Sequence, residues 1–146
     1  MPTIDVYGEL GPQPYPTEAT TPDAFERLMT RFNIDMTFVA ATEALRGSMS
    51  DGNAWLMAQI TDRPRFRGYC VVNPLMFEAS QEDMRRFLVR EHFVGAILHE
   101  GYIDRPLNAD VMRALVKSLL RYDKPLLLHI NDPREISNLQ EVAREF

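Results

Sequence analysis

The sequence predicts an α/β fold built from five βα units, and three observations carry that prediction. Apolar, β-rich runs begin near Thr3 (TIDVY), Met36 (MTFVAA), Phe66 (FRGYCVV), Phe93 (FVGAILH) and Pro125 (PLLLHI). Their starts lie 33, 30, 27 and 32 residues apart, close to the roughly 30 residues of a βαβ repeat. Several runs are continuously apolar, the pattern of parallel strands covered on both faces.

Amphipathic helices fill the gaps in order. After the first strand, Pro12, Pro14, Pro16 and Pro22 stiffen a long connection, readable either as a functional lid or as a surface excursion. Thr21-Pro22-Asp23 then supplies a cap and first turn for a helix whose Phe25, Leu28, Met29 and Phe32 repeat at i, i+3, i+4 and i+7. A second helix, near Asn53 to Thr61, is expected to bury Trp55, Leu56 and Ile60. Ser80 is expected to cap the third, with Met84, Phe87 and Leu88 inward. Asn108 can cap the fourth, where Met112, Leu115, Val116 and Leu119 form the stripe. Asp132-Pro133-Arg134-Glu135 opens the fifth, with Ile136, Leu139, Val142 and Phe146 toward the sheet.

Composition bounds the function. The 146 residues fit one domain, and 45% hydrophobic with 25% charged residues is ordinary for a globular protein. A formal charge of −5 offers nucleic acid or an anionic membrane no general attraction. The single cysteine, Cys70, excludes an internal disulfide framework and reads as a buried, inert thiol. The opening residues lack signal-peptide character, so a cytoplasmic location is the expectation. There is no Gly-rich phosphate loop and no G-x-S-x-G elbow.

In parallel α/β folds, ligands bind at the carboxyl ends of the strands. Those ends carry Tyr7-Gly8-Glu9, Thr42-Glu43, Asn73-Pro74, His99-Glu100 and His129-Ile130-Asn131-Asp132. Two of the three histidines therefore follow apolar strands. A histidine there serves as a metal ligand or general base, its reference pKa lying near 6.5; the competing role is a hydrogen-bonded structural residue. Glu9 could add a hard oxygen ligand, while Asp132 reads as a helix cap. Glu43 and Glu100 fit solvated loop charges equally well.

Six segments resemble the amidohydrolase-related family of metal-dependent (β/α)8 barrels. Ile4-Asp5-Val6-Tyr7-Gly8-Glu9-Leu10-Gly11 is similar to its I-D-x-H-x-H opening strand, and Phe32-Asn33-Ile34-Asp35-Met36 to its G-I-D entry to strand two. Gly52-Asn53 is similar to its next helix start. Pro64-Arg65-Phe66-Arg67-Gly68 with Val72-Asn73-Pro74 resembles P-R-x-x-G…V-N-P. Phe93-Val94-Gly95-Ala96-Ile97-Leu98-His99 resembles F-V-G-x-K-L-H, and Pro125-Leu126-Leu127-Leu128-His129 resembles P-V-L-I-H. Tyr7 and Glu9 stand where the family has its strand-one histidines, and Ile97 stands where it has a lysine.

The resemblance implies a TIM-like barrel represented by about five of eight units, with residues 1–146 as one N-terminal portion ending before strand six. It implies metal-dependent hydrolysis of a small carboxylate, ester or amide, or decarboxylation, with a divalent metal such as zinc or manganese. Carried over, His129 and Glu9 are the metal candidates and His99 the catalytic candidate. Tyr7, Asn73 and Glu100 are the substrate-binding candidates. A partial barrel leaves sheet edges and an apolar interior uncovered, so self-association is expected, with a small molecule as the other partner. Two other readings stand beside this one. The first is a non-catalytic or degenerate relative that binds a small molecule. The second is an open, doubly wound flavodoxin-like sheet serving as a binding or signalling module.

Overall fold

The computed structural model describes residues 1–14, 20–99, 109–130, 133 and 136–146. Strands β1 (Ile4–Leu10), β2 (Met36–Ala41), β3 (Phe66–Val71), β4 (Phe93–His99) and β5 (Leu126–His129) pair in parallel, in sequence order. That order decides between the two architectures. A flavodoxin-like sheet has strand order 2-1-3-4-5 and reverses direction once. Here every crossover steps the same way, and right-handed crossovers then place all the helices on one face. The sheet is of barrel type, and the doubly wound alternative is excluded.

Six helices accompany the strands: α1 (Pro22–Arg31), α2 (Thr42–Arg46), α3 (Met49–Ile60), α4 (Phe77–Phe87), α5 (Ala109–Leu119) and α6 (Ile136–Ala143). The Thr21 hydroxyl caps α1 by accepting from the Ala24 amide, with Pro22 at the first turn. Between helices and sheet lies the core, in which Met29, Leu56, Ile60, Phe66, Met84, Phe93, Met112 and Leu115 are at most 1% exposed. Cys70 belongs to this layer, and burial beside Asp83 holds its thiol well above the usual range. No helix among the described residues is long and apolar enough to cross a membrane.

Several sequence expectations are corrected. The run after β2 is not a strand end followed by loop but the short helix α2, and α3 begins at Met49, not near Asn53. The longer α3 sets its inward stripe by Met49, Gly52, Asn53, Leu56 and Ile60, so Trp55 falls off that stripe and is 38% exposed. Ser80 is no cap. It is buried within α4, where its hydroxyl accepts from the Asn73 amide and donates to the Asn73 carbonyl. The cap belongs to Asn73, whose side chain accepts from the Leu75 amide and starts a 3-10 turn over Pro74–Met76.

Leu28, Phe32, Ile136 and Phe146, expected inward, are largely exposed. Leu28 and Phe32 end on α1, beside edge strand β1, and Ile136 and Phe146 follow β5, the other edge. At both places no further βα unit covers the helix flank. The expected caps at Asn108, Asp132 and Glu135 lie outside the described residues.

Two buried contacts set the geometry of the β2–β3 corner. Pairing of β2 with β3 runs to Val39 and Gly68, although β2 continues to Ala41 beside β1 and β3 to Val71. The Asn53 amide takes over: its Nδ2 donates to the Val71 carbonyl (2.9 Å) and its Oδ1 accepts from the Val71 amide (2.9 Å). A side chain thus stands in for a strand and satisfies both backbone groups of Val71. The same Nδ2 donates to Asp83 on α4 at 2.8 Å. Gly52, one residue earlier, lets α3 meet the start of α2 directly, since a Cβ there would lie 2.1 Å from the Ala44 nitrogen.

Candidate functional site

Strand alternation sorts the side chains onto two faces. A Cβ on Gly8 would meet Phe25 of α1, and one on Gly68 would meet Ile60 of α3, so those positions face the helices. Their neighbours along each strand face the concave interior. There Tyr7 and Glu9 come from β1, Phe38 from β2, Tyr69 from β3, His99 from β4 and His129 from β5. The Phe38 and Tyr69 rings meet edge to face, and the Tyr69 hydroxyl donates to the Val6 carbonyl at 3.0 Å.

At the carboxyl end of this interior the polar groups converge. His99 and His129 occupy paired register positions on β4 and β5, their ring centroids 3.8 Å apart and their planes at 74°. Tyr7 meets His129 edge-on at 6.3 Å. The Tyr7 hydroxyl donates to Glu9 Oε1 at 2.7 Å, and Arg46, the last residue of α2, donates to Glu9 Oε2 at 2.8 Å. Both partners of that ion pair are about four-fifths buried, which strengthens it relative to a surface pair.

His99 is 8% exposed. Burial, reinforced by the neighbouring His129 and Arg46 and only partly offset by Glu9, pulls its pKa down to about 4. The imidazole is therefore neutral at physiological pH. Beside it lies a cavity of about 160 Å3, lined by Arg46, Met49, Val71, Asn73, Met76 and His99 among others. The cluster thus joins a fixed guanidinium, a neutral imidazole and an apolar wall.

Of the residues singled out in the sequence, Tyr7, Glu9, His99 and His129 come together here. Asn73 lines the cavity, but its side chain is engaged as the turn cap. Glu100 lies outside the described residues. Arg46 is not among the residues the sequence singles out, because α2 is only five residues long and shows no periodic stripe. Its signal was present in Glu43-Ala44-Leu45-Arg46, four strong helix formers in a row.

The donor set does not fit the divalent metal that the resemblance implies. Among the described residues no three His, Cys, Asp or Glu side chains are grouped to hold an ion. Glu9 already engages Tyr7 and Arg46 through its two oxygens, and the guanidinium beside it repels a cation. Two histidines remain, fewer than the three protein ligands typical of a catalytic zinc. These residues alone do not make a metal centre.

No family model matches the sequence, and no curated protein matches it significantly. Solved structures do match. The 2,6-dihydroxybenzoate decarboxylase from Rhizobium superposes with a TM-score of 0.70 at 19% identity, over 90% of this chain and 50% of its own. A dihydroxybenzoic acid decarboxylase from Polaromonas, determined with bound manganese and the inhibitor 2-nitroresorcinol, gives 0.69 at 16% identity, over 96% and 53%. An amidohydrolase from Mycobacterium avium subsp. paratuberculosis gives 0.57 at 15% identity, over 86% and 40%. The chain spans about half the length of the two decarboxylases. The resemblance seen in the sequence holds at the level of fold: five βα units, arranged as in about half of each decarboxylase structure.

Proposed function

We propose that this chain is an amidohydrolase-type half-barrel whose strand ends bind a small organic carboxylate. The observation that carries the reading is the juxtaposition of Arg46, paired with Glu9, and neutral His99 on the wall of one cavity. A guanidinium recognises a carboxylate through parallel N–H donors. Arg46 engages Glu9 through Nη2, and its fork serves as the anchor. His99, uncharged, hydrogen-bonds the substrate without competing for Glu9. Met49, Val71 and Met76 supply the apolar wall against which a ring or short chain packs. Tyr7 holds Glu9 in place, and Asn73 shapes the floor.

The decarboxylases of the same fold act on hydroxylated benzoates, so 2,6-dihydroxybenzoate is the first probe. Calorimetric titration of the purified chain is expected to give saturable heat with 2,6-dihydroxybenzoate and none with resorcinol, which lacks the carboxylate. Equal responses to both, or none to either, would reject this reading.

Metal-dependent turnover is a second reading, favoured by the paired imidazoles of His99 and His129. It requires ligands beyond the described residues of this chain. Product formation from a hydroxybenzoate, ester or amide that appears with added manganese or zinc and disappears in His129→Ala supports it. A second proposal concerns partners. Exposed Ile4, Val6, Leu28 and Phe32 along β1 and α1, with Leu120, Ile136 and Phe146 around β5, favour self-association that covers both edges.

A further inference from the structure

At the carboxyl ends of the strands the chain gathers one carboxylate and two imidazoles: Glu9 from β1, His99 from β4 and His129 from β5. Carboxylate oxygen and imidazole nitrogen are donors that divalent zinc takes. Yet among the described residues the three are not grouped around an ion position. What meets them instead is a positive charge of the protein's own. Arg46 Nη2 lies 2.8 Å from Glu9 Oε2. Arg46 also shares a cavity wall with His99, whose ring centroid is 3.8 Å from that of His129.

Three features make this guanidinium a fixed part of the site. The first is its backbone. Helix α2 begins directly after β2, is held by buried Thr42, Ala44 and Leu45, and ends at Arg46. On its other side Gly52 of α3 meets Ala44 so closely that a Cβ would not fit. The second is burial. The Arg46 and Glu9 side chains are only 21% and 18% exposed, and removing one partner of such a pair strands the other's charge. The third is charge balance. Glu9 Oε1 accepts from the Tyr7 hydroxyl at 2.7 Å while Oε2 accepts from Arg46. A divalent ion beside the two histidines would therefore find the Glu9 charge already compensated, and would face a guanidinium.

We propose that Arg46 is the resident cation of this site. Its guanidinium holds Glu9 and supplies, beside His99 and His129, the positive charge that a divalent metal would bring, so that Arg46 and a metal exclude each other. The inference opposes the metal-dependent reading above. It involves no carboxylate ligand, so it and the carboxylate reading fail separately.

The test is a titration of the tag-free chain with cobalt(II) chloride, followed by visible absorption and by melting temperature. Wild type should show no saturable response up to about 1 mM. Arg46→Met, which leaves Glu9 to Co2+, should bind it at least about tenfold below that limit, and added Co2+ should raise its melting temperature toward that of wild type. Arg46→Gln, which keeps a donor but not the charge, should gain Co2+ in the same way and serves where Arg46→Met does not fold. Arg46→Lys keeps the charge and should stay as silent as wild type, and Glu9→Gln/Arg46→Met should lose the gain. Saturable Co2+ binding by wild type overturns the inference. So does a folded Arg46→Met or Arg46→Gln that responds to Co2+ no better than the double variant.

Discussion

Tyr7 and His129 lie on the two edge strands of a five-stranded sheet, yet their ring centroids are 6.3 Å apart. In a flat sheet, strands β1 and β5 would be separated by four spacings, about 19 Å. The contact exists because the sheet curls, and that curl brings the ends of β1, β4 and β5 into one polar cluster. Sequential strand order and a single helical face make the curl possible. The site is therefore a property of topology before it is a property of any one residue.

Arg46 is the anchor in this account. Arg46→Met should weaken 2,6-dihydroxybenzoate at least tenfold in calorimetry, in line with about 1.5–3 kcal/mol for a charge-assisted hydrogen bond. It also strands Glu9, so the double variant Glu9→Gln/Arg46→Met should be more stable to denaturant than Arg46→Met alone.

His99 makes stability depend on pH with a defined sign. Its folded pKa, about 4, lies below the ordinary 6.5, so the unfolded chain takes up a proton first. The neutral-His99 contribution is complete above pH 6.5, is lost as pH falls toward 4, and levels off below that. The span is on the order of 3 kcal/mol. Urea unfolding of wild type and His99→Asn across this range should differ in slope, the variant being flatter.

Asn53 replaces a missing strand, so truncating it exposes a cost that its polarity hides. Asn53→Ala leaves the Val71 amide and carbonyl and the Asp83 carboxylate without their partner. Chemical denaturation should register a loss of about 2–4 kcal/mol.

Gly52 inverts a familiar rule. Glycine to alanine inside a helix ordinarily stabilises by up to about 1 kcal/mol. Here the new Cβ would strike the α2 backbone at Ala44, an overpacking cost of roughly 1–3 kcal/mol. Gly52→Ala should melt lower than wild type, and, because α2 carries Arg46, should also weaken the carboxylate.

The proposed self-association would cover the apolar flanks of β1 and β5. Light scattering should give a mass above that of one chain, and Val6→Glu with Phe32→Glu should return it toward the monomer. Both residues are more than half exposed, so the fold itself should tolerate the change.

Much of this was legible in the sequence, for physical reasons. Continuous apolar runs at βαβ spacing marked all five strands, and strand ends marked Tyr7, Glu9, His99 and His129, because alternation and parallel pairing are local rules. Strand order was not legible, since the repeat fits an open sheet and a curled one equally. Arg46 escaped because α2 is only five residues long, too short for a periodic stripe. Trp55 was misplaced because the true start of α3 shifts its inward face. Asn53 and Asp83 meet across 30 residues of sequence, a pairing that no local pattern encodes.

The most direct test is histidine-ring NMR during a 2,6-dihydroxybenzoate titration. The chain has three histidines, and His92, just before β4, lies at the opposite end of the strands from His99 and His129. The account predicts that the His99 and His129 ring signals move together and saturate with one affinity while His92 stays still. Stationary His99 and His129 signals under saturating ligand, or a shift confined to His92, would contradict it.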